Sequence, residues 1–104
     1  MDYNDPTYKA YINGPRWKAK CDQYWTAKGR WCKGCNARNK PLHVHHMSYD
    51  HFTREPLSDL MGLCYDCHKE VHRRHRAGGR QQNLRTVTLE YVREQILVRL
   101  RKRR

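Results

Sequence analysis

No stretch of this 104-residue chain is both long and apolar enough to span a bilayer, and its first residues lack the hydrophobic segment of an export signal. A membrane-spanning helix and a secreted, disulfide-built domain are therefore not expected, and a reducing cytoplasmic setting is. Apolar residues are scarce, at 38%, so a single domain with a thin core is expected and something besides burial must help to hold it. Acidic residues are scarce too. Ten stand against 22 basic ones, a net charge of +12 that points to a polyanionic partner.

The charge is unevenly spread. Residues 32–72 hold five basic and five acidic side chains, whereas residues 73–104 carry eleven basic residues against Glu90 and Glu94 alone. A neutral centre between basic flanks reads as a chemical site framed by backbone-binding surfaces. The competing reading is solvated charge kept for solubility.

Asp5-Pro6 has the form of an N-cap followed by proline at the first helical position, opening a short helix that Asn13-Gly14-Pro15 interrupts. From Pro15 to about Lys28, Trp17, Cys21, Tyr24 and Trp25 recur at helical spacing and Gly29 supplies a stop. Aromatic residues so spaced predict a packed face, with base stacking as the alternative. Leu42 to His46 alternates as a half-buried strand does, Leu60, Met61 and Leu63 form a second short apolar run, and Tyr65 to about Arg74 reads as a helix with Val71 inward. Residues 76–85, with Gly78-Gly79 and no hydrophobic period, predict a flexible linker. A basic C-terminal helix over residues 86–104 follows, with Leu89, Val92, Ile96 and Leu100 on one stripe and Val98 off it. The expected organisation is thus an N-terminal helical extension over 1–31, an α+β core over 32–75, the linker and the final helix.

Cys32-x2-Cys35 and Cys64-x2-Cys67 are two CxxC pairs 28 residues apart, a pattern that suits a tetrahedral zinc. Four thiolates leave no position for water, so the ion would be structural and its binding coupled to folding. A redox-active CxxC would need a thioredoxin-like βαβ context, and no such pattern surrounds either pair. Cys21 stands outside both and reads as a buried apolar residue.

Seven histidines are many for this length. His45 and His46 are adjacent on the expected strand and so face opposite sides of it, while His68 and His72, four residues apart on the expected helix, share a face and can share a metal.

Cys32-x2-Cys35, Leu42-x-Val44-His45-His46-Met47, Asp59-Leu60-x-x-Leu63-Cys64-x2-Cys67-His68 and His72 together resemble the HNH, or ββα-metal, nuclease motif in its zinc-knuckle variant, over about residues 32–72. The resemblance implies a small ββα-metal core with a structural zinc, flanked by N-terminal helices and a basic C-terminal helix. It implies His46 as general base and His45 with His68 as ligands of a catalytic divalent ion, with His72 as a further ligand or phosphate contact. The motif's asparagine falls at Asp59, a departure that favours a direct or outer role at the ion, because an ionised carboxylate accepts but does not donate. Imidazole ligands suit Mn2+, Ni2+ or Zn2+, whereas Mg2+ prefers oxygen, so the preferred ion stays open. His43 shares a strand face with His45 and falls behind the ligands; His51 and His75 read as loop and surface residues.

The resemblance further implies a DNA endonuclease hydrolysing phosphodiester bonds of double-stranded DNA in a bacterial or phage-infected cell, with low or modest sequence specificity. Arg73, Arg74, Arg76, Arg80, Arg101, Lys102, Arg103 and Arg104 are the expected DNA contacts. A homodimer or a phage terminase-type partner is compatible with it. Two other classes compete: a non-catalytic DNA-binding zinc module, and an accessory subunit of a phage packaging or restriction complex whose Arg-rich final helix docks on an acidic protein.

Overall fold

Proline at the first position starts both N-terminal helices. In the computed structural model, which describes residues 4–78 and 82–102, α1 spans Pro6–Ile12 and is capped by Asp5, whose carboxylate accepts from the Thr7 amide at 2.8 Å. Helix α2 spans Pro15–Lys28 and stops at Gly29, whose φ of 89° is open to glycine but strained for other residues.

Strand β1 (Leu42–His46) pairs antiparallel with β2 (Leu60–Cys64), His45 opposite Met61 and Val44 opposite Gly62. A loop closing in a short 3-10 turn at Leu57–Asp59 joins them, and the Met47 amide donating to the Asp59 carbonyl at 2.7 Å pins its two ends together. Helix α3 (Tyr65–Ala77) leaves β2 directly, with Cys64 as its N-cap, and α4 (Leu84–Lys102) packs on it. Among the described residues the chain is therefore a small α+β fold of four helices and a two-stranded sheet. None of these helices is long and apolar enough to cross a membrane.

The sheet separates two small cores. On one side Tyr11, Trp17, Tyr24 and Leu60 pack together, with Val44, Phe52 and Trp25 against them. Gly62 permits this closeness, since a Cβ there would lie 2.6 Å from the Trp25 ring, and its amide donates to the Tyr24 hydroxyl at 2.7 Å. On the other side Leu63, Val71, Val87, Tyr91 and Val92 surround the cysteines.

Two expectations about the C-terminal third are corrected. Of the linker expected over 76–85, residues 76, 77, 84 and 85 are helical, and residues 79–81 lie outside those described. The buried face of α4 is Val87, Thr88, Tyr91 and Val92, whereas Leu89, Ile96 and Leu100 of the expected stripe are exposed. The helix is apolar on more than one side, so periodicity alone does not select the face. Arg74 helps to fix it by reaching Glu70 and Glu94 together, at 2.8 and 2.7 Å, with its guanidinium over the Tyr91 ring.

Candidate metal centre

The two CxxC segments fold as knuckles. In each, the first sulfur accepts from the amide of the second cysteine, Cys32 from Cys35 at 3.4 Å and Cys64 from Cys67 at 3.5 Å. The four sulfurs lie within 4.8 Å of one another, and Cys35 and Cys64 are 3.7 Å apart. Sulfurs bound tetrahedrally at about 2.3 Å are separated by about 3.8 Å, so the cluster could hold a zinc ion. Burial raises the Cys32 thiol, but amide hydrogen bonds from Cys35 and Cys64 outweigh it and bring it down to about 7, towards the thiolate a metal requires. The Tyr91 hydroxyl donates to Cys67 Sγ at 3.2 Å, tying α4 to the cluster.

A second cluster lies where β1 meets α3. One ring nitrogen each of His45, His68 and His72 comes within 4.8 Å of the others, and Nε2 of His68 and Nε2 of His72 are 3.1 Å apart. His45 is 1% exposed and its Nδ1 has no hydrogen-bond partner. Its Nε2 is 2.9 Å from Thr88 Oγ1, which spends its own proton on the Leu84 carbonyl at 2.8 Å and so accepts from His45. The Nδ1 lone pair of His45 is thereby left buried and unpaired, as a site for a cation would have it. His43 Nδ1 lies 3.1 Å from His68 Nδ1 and braces that ring from behind. Burial, then the neighbouring imidazoles, lower the proton affinity of His45 and bring His68 down to about 4; burial and Arg76 lower His72. All three are neutral near pH 7, the form that binds metal.

His46, on the opposite face of β1, stacks on Trp17 and Tyr49 at centroid distances of 4.5 and 5.0 Å. Its Nε2 is 2.7 Å from Glu55 Oε2, and the other carboxylate oxygen accepts from the Tyr11 hydroxyl at 2.6 Å. Burial would raise the Glu55 carboxyl, but the hydrogen bonds from Tyr11 and His46 outweigh it and hold it below its usual value. An ionised Glu55 only accepts, so His46 carries its proton on Nε2 and offers Nδ1. His46 lines the same cleft of about 640 Å³ as His43, His68 and His72.

Asp59 is not brought to the histidine cluster. Its carboxylate is held by Arg85 at 2.5 Å and His51 at 3.0 Å, and despite burial these partners keep its proton affinity low. It braces α4 and the loop after β1. The expected DNA contacts also divide. Arg73 forks onto Glu70 and Arg74 joins Glu70 to Glu94, so both are committed within the fold. Arg76 lines the cleft, and Arg101 and Lys102 are exposed at the end of α4. Arg80, Arg103 and Arg104 lie outside the described residues.

Sequence reasoning missed Glu55, Tyr11 and Thr88. Glu55 sits in an irregular loop and Tyr11 in a two-turn helix, where no period marks a partner 44 residues away. Thr88 carried one signal, a polar residue on what proves to be the buried face of α4. Compared with protein-family models, curated proteins and solved structures, the chain has no match.

Proposed function

We propose that the chain is a metal-dependent endonuclease of the HNH type that hydrolyses phosphodiester bonds in DNA, with the four cysteines holding a structural zinc in a ββα-metal core. The observation that carries the reading is one cleft lined by both a histidine bonded to a buried carboxylate and the rim of a three-histidine cluster with an unpaired Nδ1. His45, His68 and His72 would hold a divalent ion, which when bound would polarise the phosphoryl group and stabilise the leaving oxygen.

The residues do the rest. His46 Nδ1 takes a proton from water as the water oxygen forms a bond to phosphorus, the P–O3′ bond breaks to leave a 5′ phosphate, and the departing 3′ oxygen takes a proton from solvent to become the 3′ hydroxyl. Glu55 steadies the imidazolium that forms, and Tyr11 keeps Glu55 ionised and aimed. Trp17 and Tyr49 hold the ring plane. Charge at Arg101 and Lys102 supplies sequence-independent grip on phosphate.

An accessory subunit docking through α4 is the second reading, favoured by the exposed Leu89, Ile96, Leu97 and Leu100 on that basic helix. Supercoiled plasmid incubated with wild type and His46→Ala, across Mg2+, Mn2+, Ni2+ and Zn2+ with a chelator control, separates the two. Cleavage by wild type alone, and only with metal, supports the nuclease; binding without cleavage by either protein supports the accessory role.

A further inference from the structure

We infer that the cleft beside the histidines is a site for an unpaired DNA strand, so that the substrate is DNA whose bases are locally open. The inference rests on the reading of the chain as DNA-directed. The cleft, of about 640 Å³, is lined by Tyr8, Trp17, Trp25 and Tyr49 and by residues of α3. Helix α3 presents one stripe to it at helical spacing: Tyr65, His68, Lys69, His72 and Arg76. Five aromatic side chains line the cleft; Trp17 is buried and, with Tyr49, stacks on His46, so the face open to a ligand is that of Tyr65, 55% exposed.

The charge there has one sign. Among the described residues no carboxylate lines the cleft and neither Lys69 nor Arg76 has an ion-pair partner, whereas Arg73 and Arg74 of the same helix are paired with Glu70 and Glu94. The Lys69 ammonium lies 5.9 Å from the Tyr65 ring, so a cation and an aromatic face stand side by side. A ligand that satisfies both has flat apolar faces alternating with negative charge. Single-stranded DNA has that form. A duplex does not, because pairing and stacking hide its base faces from protein side chains. Paired DNA can meet the rim through its phosphates, but cannot stack a base on the Tyr65 ring.

The test is binding by the full zinc-loaded chain, without a second divalent ion, read by fluorescence anisotropy on a short oligothymidylate and on a blunt duplex of equal length at physiological salt. Tighter binding of the single strand is expected. Tyr65→Ala should weaken it by roughly tenfold, from loss of one stacking face, and leave duplex binding unchanged, while Tyr65→Phe should retain it. Lys69→Ala with Arg76→Ala should flatten the single strand's salt dependence by about 1.4 in slope for two phosphates released.

Equal or tighter duplex binding, or Tyr65→Ala acting alike on both DNAs, overturns the inference. A dimer by sedimentation that Tyr65→Ala dissociates, with no oligonucleotide binding by the wild type, also overturns it, by assigning the cleft to a second copy of the chain. Cleavage is scored separately: strand-selective binding with no cutting in any metal keeps this inference and refutes the nuclease, and cutting of paired DNA without single-strand preference does the reverse.

Discussion

Glu55→Gln keeps the shape of the side chain and changes what its two terminal atoms can do. In the native protein both oxygens accept, one from Tyr11 at 2.6 Å and one from His46 at 2.7 Å, with the Glu55 and His46 side chains 0% and 3% exposed. An amide accepts with one atom and donates with the other. If its oxygen keeps the Tyr11 proton, its NH2 meets His46 Nε2, which must then be bare, and the ring proton moves to Nδ1, the nitrogen that the proposed mechanism uses as base. The opposite placement preserves the tautomer but leaves the Tyr11 proton buried without an acceptor, a cost of about 1–3 kcal/mol. That cost favours the unproductive placement by about 5- to 150-fold, and the cleavage rate should fall by at least that factor. The ceiling is set by the comparable Asp-to-Asn exchange in a Ser-His-Asp triad, about 10⁴-fold. KM should hold, since Glu55 does not line the cleft. Single-turnover nicking of plasmid measures the rate, and ¹⁵N side-chain NMR of His46 reads the tautomer. A variant that cuts at the native rate, or whose His46 stays protonated on Nε2, would refute the assignment of Glu55 as the group that orients the base.

Three further outcomes are expected. Stripping zinc with a strong chelator, or replacing Cys67 by Ser, should collapse the far-UV helical signal cooperatively, because the thiol cluster is buried against the core of α3 and α4; retention of the native spectrum would show that the cluster is not structural. Thr88→Val should leave the buried His45 Nε2 proton unpartnered, lowering stability by about 1–3 kcal/mol in thermal unfolding and weakening the histidine-site metal by about 10- to 100-fold in titration calorimetry. Without metal at the histidine site the protein should lose stability in acid: His68 binds its proton less readily folded than unfolded, so stability present above about 6.5, the unfolded value, is lost as pH falls towards about 4, and urea midpoints across that range check it.

Much of the site was legible because its signals are local. The i, i+4 spacing of His68 and His72 dictates a shared face on any helix, and each CxxC dictates its own knuckle. Adjacent residues on a strand diverge, and His45 and His46 do, one towards α3 and one towards Trp17. What could not be read was set by tertiary contact. Asp59 looked available to a metal until Arg85, 26 residues on, and His51 took its oxygens. Leu89, Ile96 and Leu100 look like a buried stripe until the thiol cluster and the Arg74 bridge select Val87, Thr88 and Tyr91 instead. Glu55 has no local mark, because a loop carboxylate announces its role only through the partners it meets.

The two clusters are mechanically one. Cys64 ends β2, Cys67 lies in the first turn of α3, His68 follows it and His72 stands one turn on, so any ion that fixes the thiols also fixes the axis on which two of the histidines ride. Helix α4 closes the arrangement from the other side. Thr88 reaches His45 and Tyr91 reaches Cys67, three residues apart on one face, and Arg99 donates to the Gly34 carbonyl within the first knuckle. The final helix is therefore not a detachable basic arm: its residues from Thr88 to Arg99 support both clusters, and among the described residues only 100–102 lie beyond those contacts. A deletion starting at residue 86 would remove Thr88 and Tyr91 together and test folding, whereas one starting at residue 101 would test the contribution of the basic end to DNA affinity with both clusters left intact.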